Sequence, residues 1–219
     1  MADVRAEEFQ IPQLPQALFV GGKAKTAKIQ IQTIMRIAYI IFNKITWLDF
    51  IGIYDPISRL KSMDFLPNLT WDICSFTNSV TDTFGLEIKA NKIQNSLADY
   101  DAIIIPGGLG TRQLQFDRDF INWIKTSDKV PCKISICTGS LILGASGFLT
   151  DKRATTNFQE YETLKKYSRE VVEDRIVEDK NIITAGAVSA SIDLGLYLCN
   201  KWAGQEAESQ IRKRMDYNG

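Results

Sequence analysis

From Met35 onward the chain alternates between short apolar runs and segments with helical spacing. Arg36–Phe42 (Arg-Ile-Ala-Tyr-Ile-Ile-Phe) is a nearly unbroken apolar stretch, the pattern of a central parallel strand buried on both faces. Phe50, Ile53, Ile57 and Leu60 then recur at helical intervals. Pro56 falls inside that pattern, so it either kinks the helix or marks its first turn with Asp55 as N-cap, and the residues leave both open. Further strands are expected at Thr70–Phe76, Ala102–Ile105 and Cys132–Ile136, with a pair at Val171–Val177 and Asn181–Ala185. Helices are expected at Asp117–Thr126, Leu141–Gly147, Phe158–Lys166 and Ser189–Trp202. Strands alternating with helices predict an α/β domain: an open, mostly parallel sheet covered on both faces, with ligands beyond the carboxyl ends of the strands.

Residues 1–34 differ. They are rich in Gln, Lys and Ala, contain two prolines, and their longest apolar run, Ala17–Val20, is too short for a secretory core or a membrane span. They are expected to be a flexible leader, leaving residues 35–219 as one domain.

Composition narrows the function. The 219 residues hold 26 basic and 26 acidic side chains, and the formal net charge of zero supplies no field to attract nucleic acid or an anionic membrane. The chain contains no histidine, so any Cys-His mechanism is excluded. The four cysteines show no Cys-x-x-Cys spacing and no metal site is expected. Cys132 and Cys137, on one extended segment, stand ~16 Å apart where a disulfide needs about 7 Å. Unpaired thiols fit a reducing, cytoplasmic setting. Cys74 and Cys199 are expected to be small buried hydrophobes.

Cys137 is different. It lies between the strand Ile134-Ser135-Ile136 and a helix starting after Thr138-Gly139-Ser140, at a tight turn where unpaired N–H groups favour thiolate near neutral pH. Two other segments should meet it at the same sheet edge. Pro106-Gly107-Gly108-Leu109-Gly110 follows a strand and lets main-chain N–H groups approach a ligand or oxyanion. A phosphate site there is disfavoured, because no P-loop lysine follows. Trp47-Leu48-Asp49-Phe50 brings a carboxyl group. A thiol and a carboxyl in hydrogen-bond range repel when both are ionised, so the pair should share about one proton near neutrality.

Ile103-Ile-Ile-Pro-Gly-Gly108, the elbow Ile136-Cys-Thr-Gly-Ser-Leu141, Gly144–Leu149, Lys152-Arg-Ala-Thr-Thr156 and Thr184-Ala-Gly through Asp193 resemble the ThiJ/PfpI superfamily of class I glutamine-amidotransferase-like proteins, within it the isonitrile hydratase subgroup. The resemblance runs from about Arg36 to Tyr217. It implies a flavodoxin-like three-layer sandwich with a nucleophile elbow, no cofactor, a small-molecule substrate and a homodimer with the site near the subunit contact. It implies Cys137 as nucleophile and Asp49 as its acid/base partner, with Gly107, Gly108, Thr138 and Asn157 around the substrate or oxyanion. The implied reaction adds water to an isonitrile to give an N-substituted formamide. The alternative is a thiol-based stress or redox sensor, or a deglycase or glyoxalase-like hydrolase. Many relatives carry histidine after Ala-Thr-Thr, where this chain has Asn157, and proline stands at Pro56 rather than after Gly52. Related regulators append a DNA-binding domain; with 17 residues after Trp202, none is expected here.

Overall fold

Buried branched residues build the centre of the sheet. In the computed structural model, which describes residues 34–219, the first strand β1 (Met35–Ile41) is buried from Ile37 to Ile41. The leader expected at residues 1–34 lies, but for Ile34, outside the described residues. After β1 come α1 (Trp47–Ser62), β2 (Leu69–Ser75), β3 (Ser79–Thr81), β4 (Glu87–Lys89), β5 (Lys92–Ile93), β6 (Ala102–Ile105), α2 (Thr111–Leu114), α3 (Arg118–Lys125) and β7 (Cys132–Ile136). The second half holds α4 (Gly139–Ala145), β8 (Arg153–Ala154), a 3-10 turn at Phe158–Glu160, α5 (Tyr161–Leu164), β9 (Glu170–Val171), β10 (Ile176–Asp179), β11 (Ile182–Ala185), α6 (Ala190–Ala203) and α7 (Gln205–Arg214).

The main sheet has the order β10-β11-β7-β6-β1-β2-β5, with β10 antiparallel to β11 and every other pairing parallel. The chain steps from β1 outward to β2, then returns to β6 on the other side of β1. Right-handed crossovers therefore send α1 to one face and α3 to the other. α1 packs on α6 and α6 on α7, while α4 packs against β6, β7, α2 and α5. The expected α/β architecture, a mostly parallel sheet between helices, is the one observed.

Pro56 lies inside α1 rather than at its start, and Asp55 is no cap: its carboxylate binds Arg59 one turn on, at 2.9 Å. The proline ring is accommodated because α6 presents Gly195 to it, where a Cβ would stand 2.3 Å from Pro56 Cγ. The expected strand Val171–Val177 is two strands, β9 on β8 and β10 on β11, separated by a turn at 172–175. The expected helix at 158–166 is a 3-10 turn, closed by Glu160 N–H on Asn157 O at 2.8 Å, followed by one short helix, and Asn157 Oδ1 caps the start of the segment through Gln159 N–H at 3.0 Å. The hairpin β3–β4 was not legible as apolar runs, its turn being set by Asp82 Oδ1, which accepts from Phe84 and Leu86 N–H. Ile211 of α7 is fully buried within its own chain.

Candidate active site

Strand order reverses between β1 and β6, so the loops leaving those strands and β7 splay open a crevice at their carboxyl ends. Cys137 sits there in a left-handed conformation, φ 53°, which is strained for a residue with a side chain. Four hydrogen bonds hold it. Its N–H donates to Ala185 O (3.0 Å) and Gly186 O (2.9 Å), and its carbonyl accepts from Thr156 Oγ1 (2.9 Å) and Ser140 Oγ (3.2 Å). The next turn presses on the end of β6: a Cβ at Gly139 would lie 2.0 Å from Ile105 O. Strand, turn and helix thus form an elbow with the thiol at its tip.

Asp49, in the first turn of α1, is fully buried. It does not cap its own helix; Oδ2 accepts from Gly107 N–H at 2.9 Å. Gly107 forms the floor between the Asp49 and Cys137 side chains. A Cβ there would stand 2.8 Å from both Asp49 Oδ2 and Cys137 Cβ, and 2.7 Å from Thr138 N. Gly108, at φ 141°, is interlocked with Thr138: its N–H donates to Thr138 Oγ1 (3.0 Å), and that hydroxyl donates back to Gly108 O (3.2 Å). Both N–H groups expected to face an oxyanion therefore have partners inside the protein. Asp49 Oδ1 is buried without a hydrogen-bond partner of normal geometry, although the Cys137 thiol is close enough to exert a hydrogen-bonding pull on the carboxyl group.

Burial governs the protons. It pushes the Asp49 carboxyl up to about 7, against the opposing pull of Gly107 N–H and the thiol. It also pushes the Cys137 thiol up to about 11, reinforced by the negative charge of Asp49 and opposed by donors from Asn157 and Thr138. A thiolate near neutrality is thus not what the structure favours. α4 has only seven residues, and the amide at the tip of its elbow, Cys137 N–H, is spent on the carbonyls of Ala185 and Gly186. Of the two groups the carboxyl is the one brought near neutrality, so the direction of both shifts keeps the thiol protonated at neutral pH.

Asn157, which follows Thr155-Thr156, donates from Nδ2 to Cys137 Sγ at 3.5 Å. All six residues singled out in the sequence, Cys137, Asp49, Gly107, Gly108, Thr138 and Asn157, are therefore in one cluster. Sequence reasoning missed Thr156, Ser140 and the Ala185 and Gly186 carbonyls that fix the elbow. The Ala-Thr-Thr and Thr-Ala-Gly segments carried that signal, yet hydroxyl and carbonyl partners have no spacing rule that would assign them. Of the aromatics, Trp47 is buried with its ring N–H on Leu86 O (3.1 Å), whereas Phe84 and Phe158 are exposed. Trp47, Phe84, Leu109 and Thr46 line a depression of about 220 Å³ between the start of α1 and the β3–β4 turn, which does not include the thiol. A cavity of about 310 Å³ lined by Phe42, Lys44, Phe76 and Phe120 lies at the end of β1 and β2 and does not include the thiol.

Cys74, Cys132 and Cys199 are unpaired like Cys137. Burial pushes all three thiols up, Cys132 and Cys199 to about 12 and Cys74 to about 11. Among the described residues no cluster of three or more Cys, Asp or Glu side chains is placed to hold a metal ion, and no helix is long and apolar enough to cross a membrane.

Over 185 residues the chain is 31% identical to isonitrile hydratase of Pseudomonas putida, covering 84% of this chain and 78% of that protein. A crystal structure of a ThiJ/PfpI family protein from Pseudomonas syringae superposes with a TM-score of 0.77 at 23% identity, over 91% of this chain and 83% of that one. Drosophila melanogaster DJ-1beta superposes with a TM-score of 0.73 at 16% identity, over 85% of this chain and all of that one. At those identities the two structures speak for the fold alone. The model of the DJ-1/PfpI family matches residues 35–201, from β1 through all the elements that build the elbow, and the chain belongs to that family.

Proposed function

We propose that the protein hydrates isonitriles, with Cys137 as nucleophile and Asp49 as proton carrier. The observation that carries this reading is the buried carboxyl raised to about 7 beside a buried thiol, in a chain without histidine and similar to an isonitrile hydratase over most of both lengths. A carboxyl group that titrates near 7 does the work ordinarily given to imidazole.

The terminal carbon of R–N≡C is the electrophile. Asp49 carboxylate takes the thiol proton as sulfur adds to that carbon, and returns it to the carbon, giving the thioimidate R–N=CH–S–Cys137. Water then adds to the same carbon; Asp49 removes one of its protons and delivers it to nitrogen. The resulting R–NH–CH(OH)–S–Cys137 collapses, carbon–sulfur cleavage releasing R–NH–CHO while the hydroxyl proton returns to sulfur. Atoms balance as one isonitrile plus one water, and no electron acceptor is involved. Asn157 Nδ2 and Thr138 N–H stabilise sulfur whenever it carries charge.

Access favours this substrate class. Cys137 is 5% exposed, and a linear –N≡C group two atoms long reaches a recessed sulfur that a branched carbonyl approaches poorly. The high thiol pKa also weighs against the peroxide-sensing alternative, because peroxide reacts with thiolate. The test is formamide production from simple alkyl and aryl isonitriles: the wild-type chain turns them over and Cys137→Ala does not. No turnover by wild type across such a set refutes the proposal.

A further inference from the structure

A carboxamide steers a sulfur atom only if its plane is held, and Asn157 is held from two sides. Its Oδ1 accepts Gln159 N–H (3.0 Å), so the NH₂ end is the one that faces Cys137. The turn that supplies this contact is anchored by Glu160. Glu160 N–H donates to Asn157 O (2.8 Å), Oε2 accepts from Thr163 Oγ1 (2.8 Å), and Oε1 meets Arg112 Nη2 at 2.8 Å.

Arg112 belongs to α2, directly after the glycine loop. Its neighbour Thr111 binds Gly108 O through both its hydroxyl (2.8 Å) and its N–H (3.2 Å). Gly108 is in turn interlocked with Thr138, the residue after Cys137. Contacts therefore run in a closed ring: Cys137, Thr138, Gly108, Thr111, Arg112, Glu160, Asn157 and back to the sulfur. Tyr167 donates from its hydroxyl to Gln115 Oε1 at 2.9 Å, tying the residue after α2 to the segment beyond α5. The Arg112–Glu160 ion pair is the ring's link between the glycine loop and the Asn157 turn. Glu160 is 14% exposed and Arg112 38%, so the pair is only partly screened by water.

We propose that Arg112 and Glu160 are positioning residues, whose ion pair holds the Asn157 amide on the Cys137 sulfur and thereby sets the reactivity of that thiol. This rests on the reading of Cys137 as the reactive group but not on the identity of its substrate. Asp49 is the ionisable group whose charge acts on the thiol, and it lies on α1, outside the ring, so the variants below leave it in place.

The test is the rate of Cys137 alkylation by iodoacetamide in the full chain between pH 7 and 9.5, followed at the level of the Cys137 peptide by mass spectrometry. Asn157→Leu removes the donor and slows alkylation roughly fivefold or more at fixed pH. Arg112→Ala slows it in the same direction by roughly threefold, Arg112→Lys stays within roughly twofold of wild type, and Arg112→Ala adds nothing further in the Asn157→Leu background. If Arg112→Ala does not fold by circular dichroism, Glu160→Gln, which keeps the Thr163 bond and loses the charge, takes its place. An Arg112→Ala rate equal to wild type, a faster rate, or an undiminished effect in the Asn157→Leu background overturns the proposal. An intact alkylation pattern in a protein that turns over no isonitrile refutes the proposed reaction and leaves the positioning role standing.

Discussion

Asp49→Asn should make the protein more stable, and increasingly so as pH rises. The carboxyl is fully buried and its pKa moves from 3.8 to about 7, because burial disfavours the charged form more than Gly107 N–H and the thiol favour it. A carboxyl raised in the folded state contributes most below pH 3.8, and that contribution is lost progressively as pH rises through about 7. The full difference corresponds to about 4 kcal/mol above pH 7, of which roughly 2–3 kcal/mol appears between pH 5 and pH 8. Asparagine is nearly isosteric and its amide oxygen still accepts Gly107 N–H, so the substitution removes the charge and little else. The assay is urea unfolding under reducing conditions at pH 5, 6, 7 and 8, comparing variant and wild type at each pH so that other titrating groups cancel. The midpoint difference should widen by about 1 M urea between pH 5 and pH 8. A difference that stays flat refutes the reasoning, because Asp49 would then ionise like a solvated carboxylate and have no proton to manage near neutrality.

Three further outcomes follow from the same geometry. The kcat/KM for isonitrile hydration should rise with pH through about 7, as Asp49 becomes able to accept the thiol proton, and then level off; a stopped assay of formamide from pH 5.5 to 9 checks it, and a profile falling through that range contradicts the assignment. Gly107→Ala should cost about 1–3 kcal/mol in thermal unfolding and abolish turnover, since its Cβ would crowd Thr138 N, Asp49 Oδ2 and Cys137 Cβ at once; a stable, active variant would show that the floor between acid and thiol can yield. Tyr39→Phe should be neutral or stabilising by about 1 kcal/mol in the same measurement, because its hydroxyl is fully buried without a partner; a loss larger than that would mean the hydroxyl is satisfied.

What was legible in the sequence was whatever is written in periodicity. β1 and β6 were visible as near-continuous apolar runs because parallel central strands are buried on both faces, while β2, β7 and β11 stayed legible, despite Asp72, Lys133, Ser135 and Thr184, because apolar residues still dominate them. Short elements at the rim escaped for the converse reason. β8, β9, β3 and β4 are two or three residues long and partly exposed, too short to show a period, and β8 pairs with β9 across 15 intervening residues (155–169). Pro56 shows a different limit: proline's disruption of a helix is a local fact, whereas the glycine that receives its ring is 139 residues further on, in α6.

At the site, the residues that come together were legible and their proton affinities were not. Cys137, Asp49 and the glycine loop each end or follow a strand, so topology alone brings them to one edge. The expected thiolate, by contrast, came from counting a helix N-terminus that favours charge, while the balance is set by how much water the fold removes. Burial acts on both members of the pair in the same direction, towards protonation, and the carboxyl, with the lower starting value, is the one that ends near neutrality. That outcome suits a chain without imidazole. A thiolate held permanently at pH 7 would, by its negative charge, push the adjoining carboxyl towards its protonated form, in which it could serve only as an acid. In the reaction proposed above, a proton resting on sulfur and a vacant carboxylate next to it would let Asp49 accept a proton in the first step and return one in the next, which hydration of a triple bond requires twice.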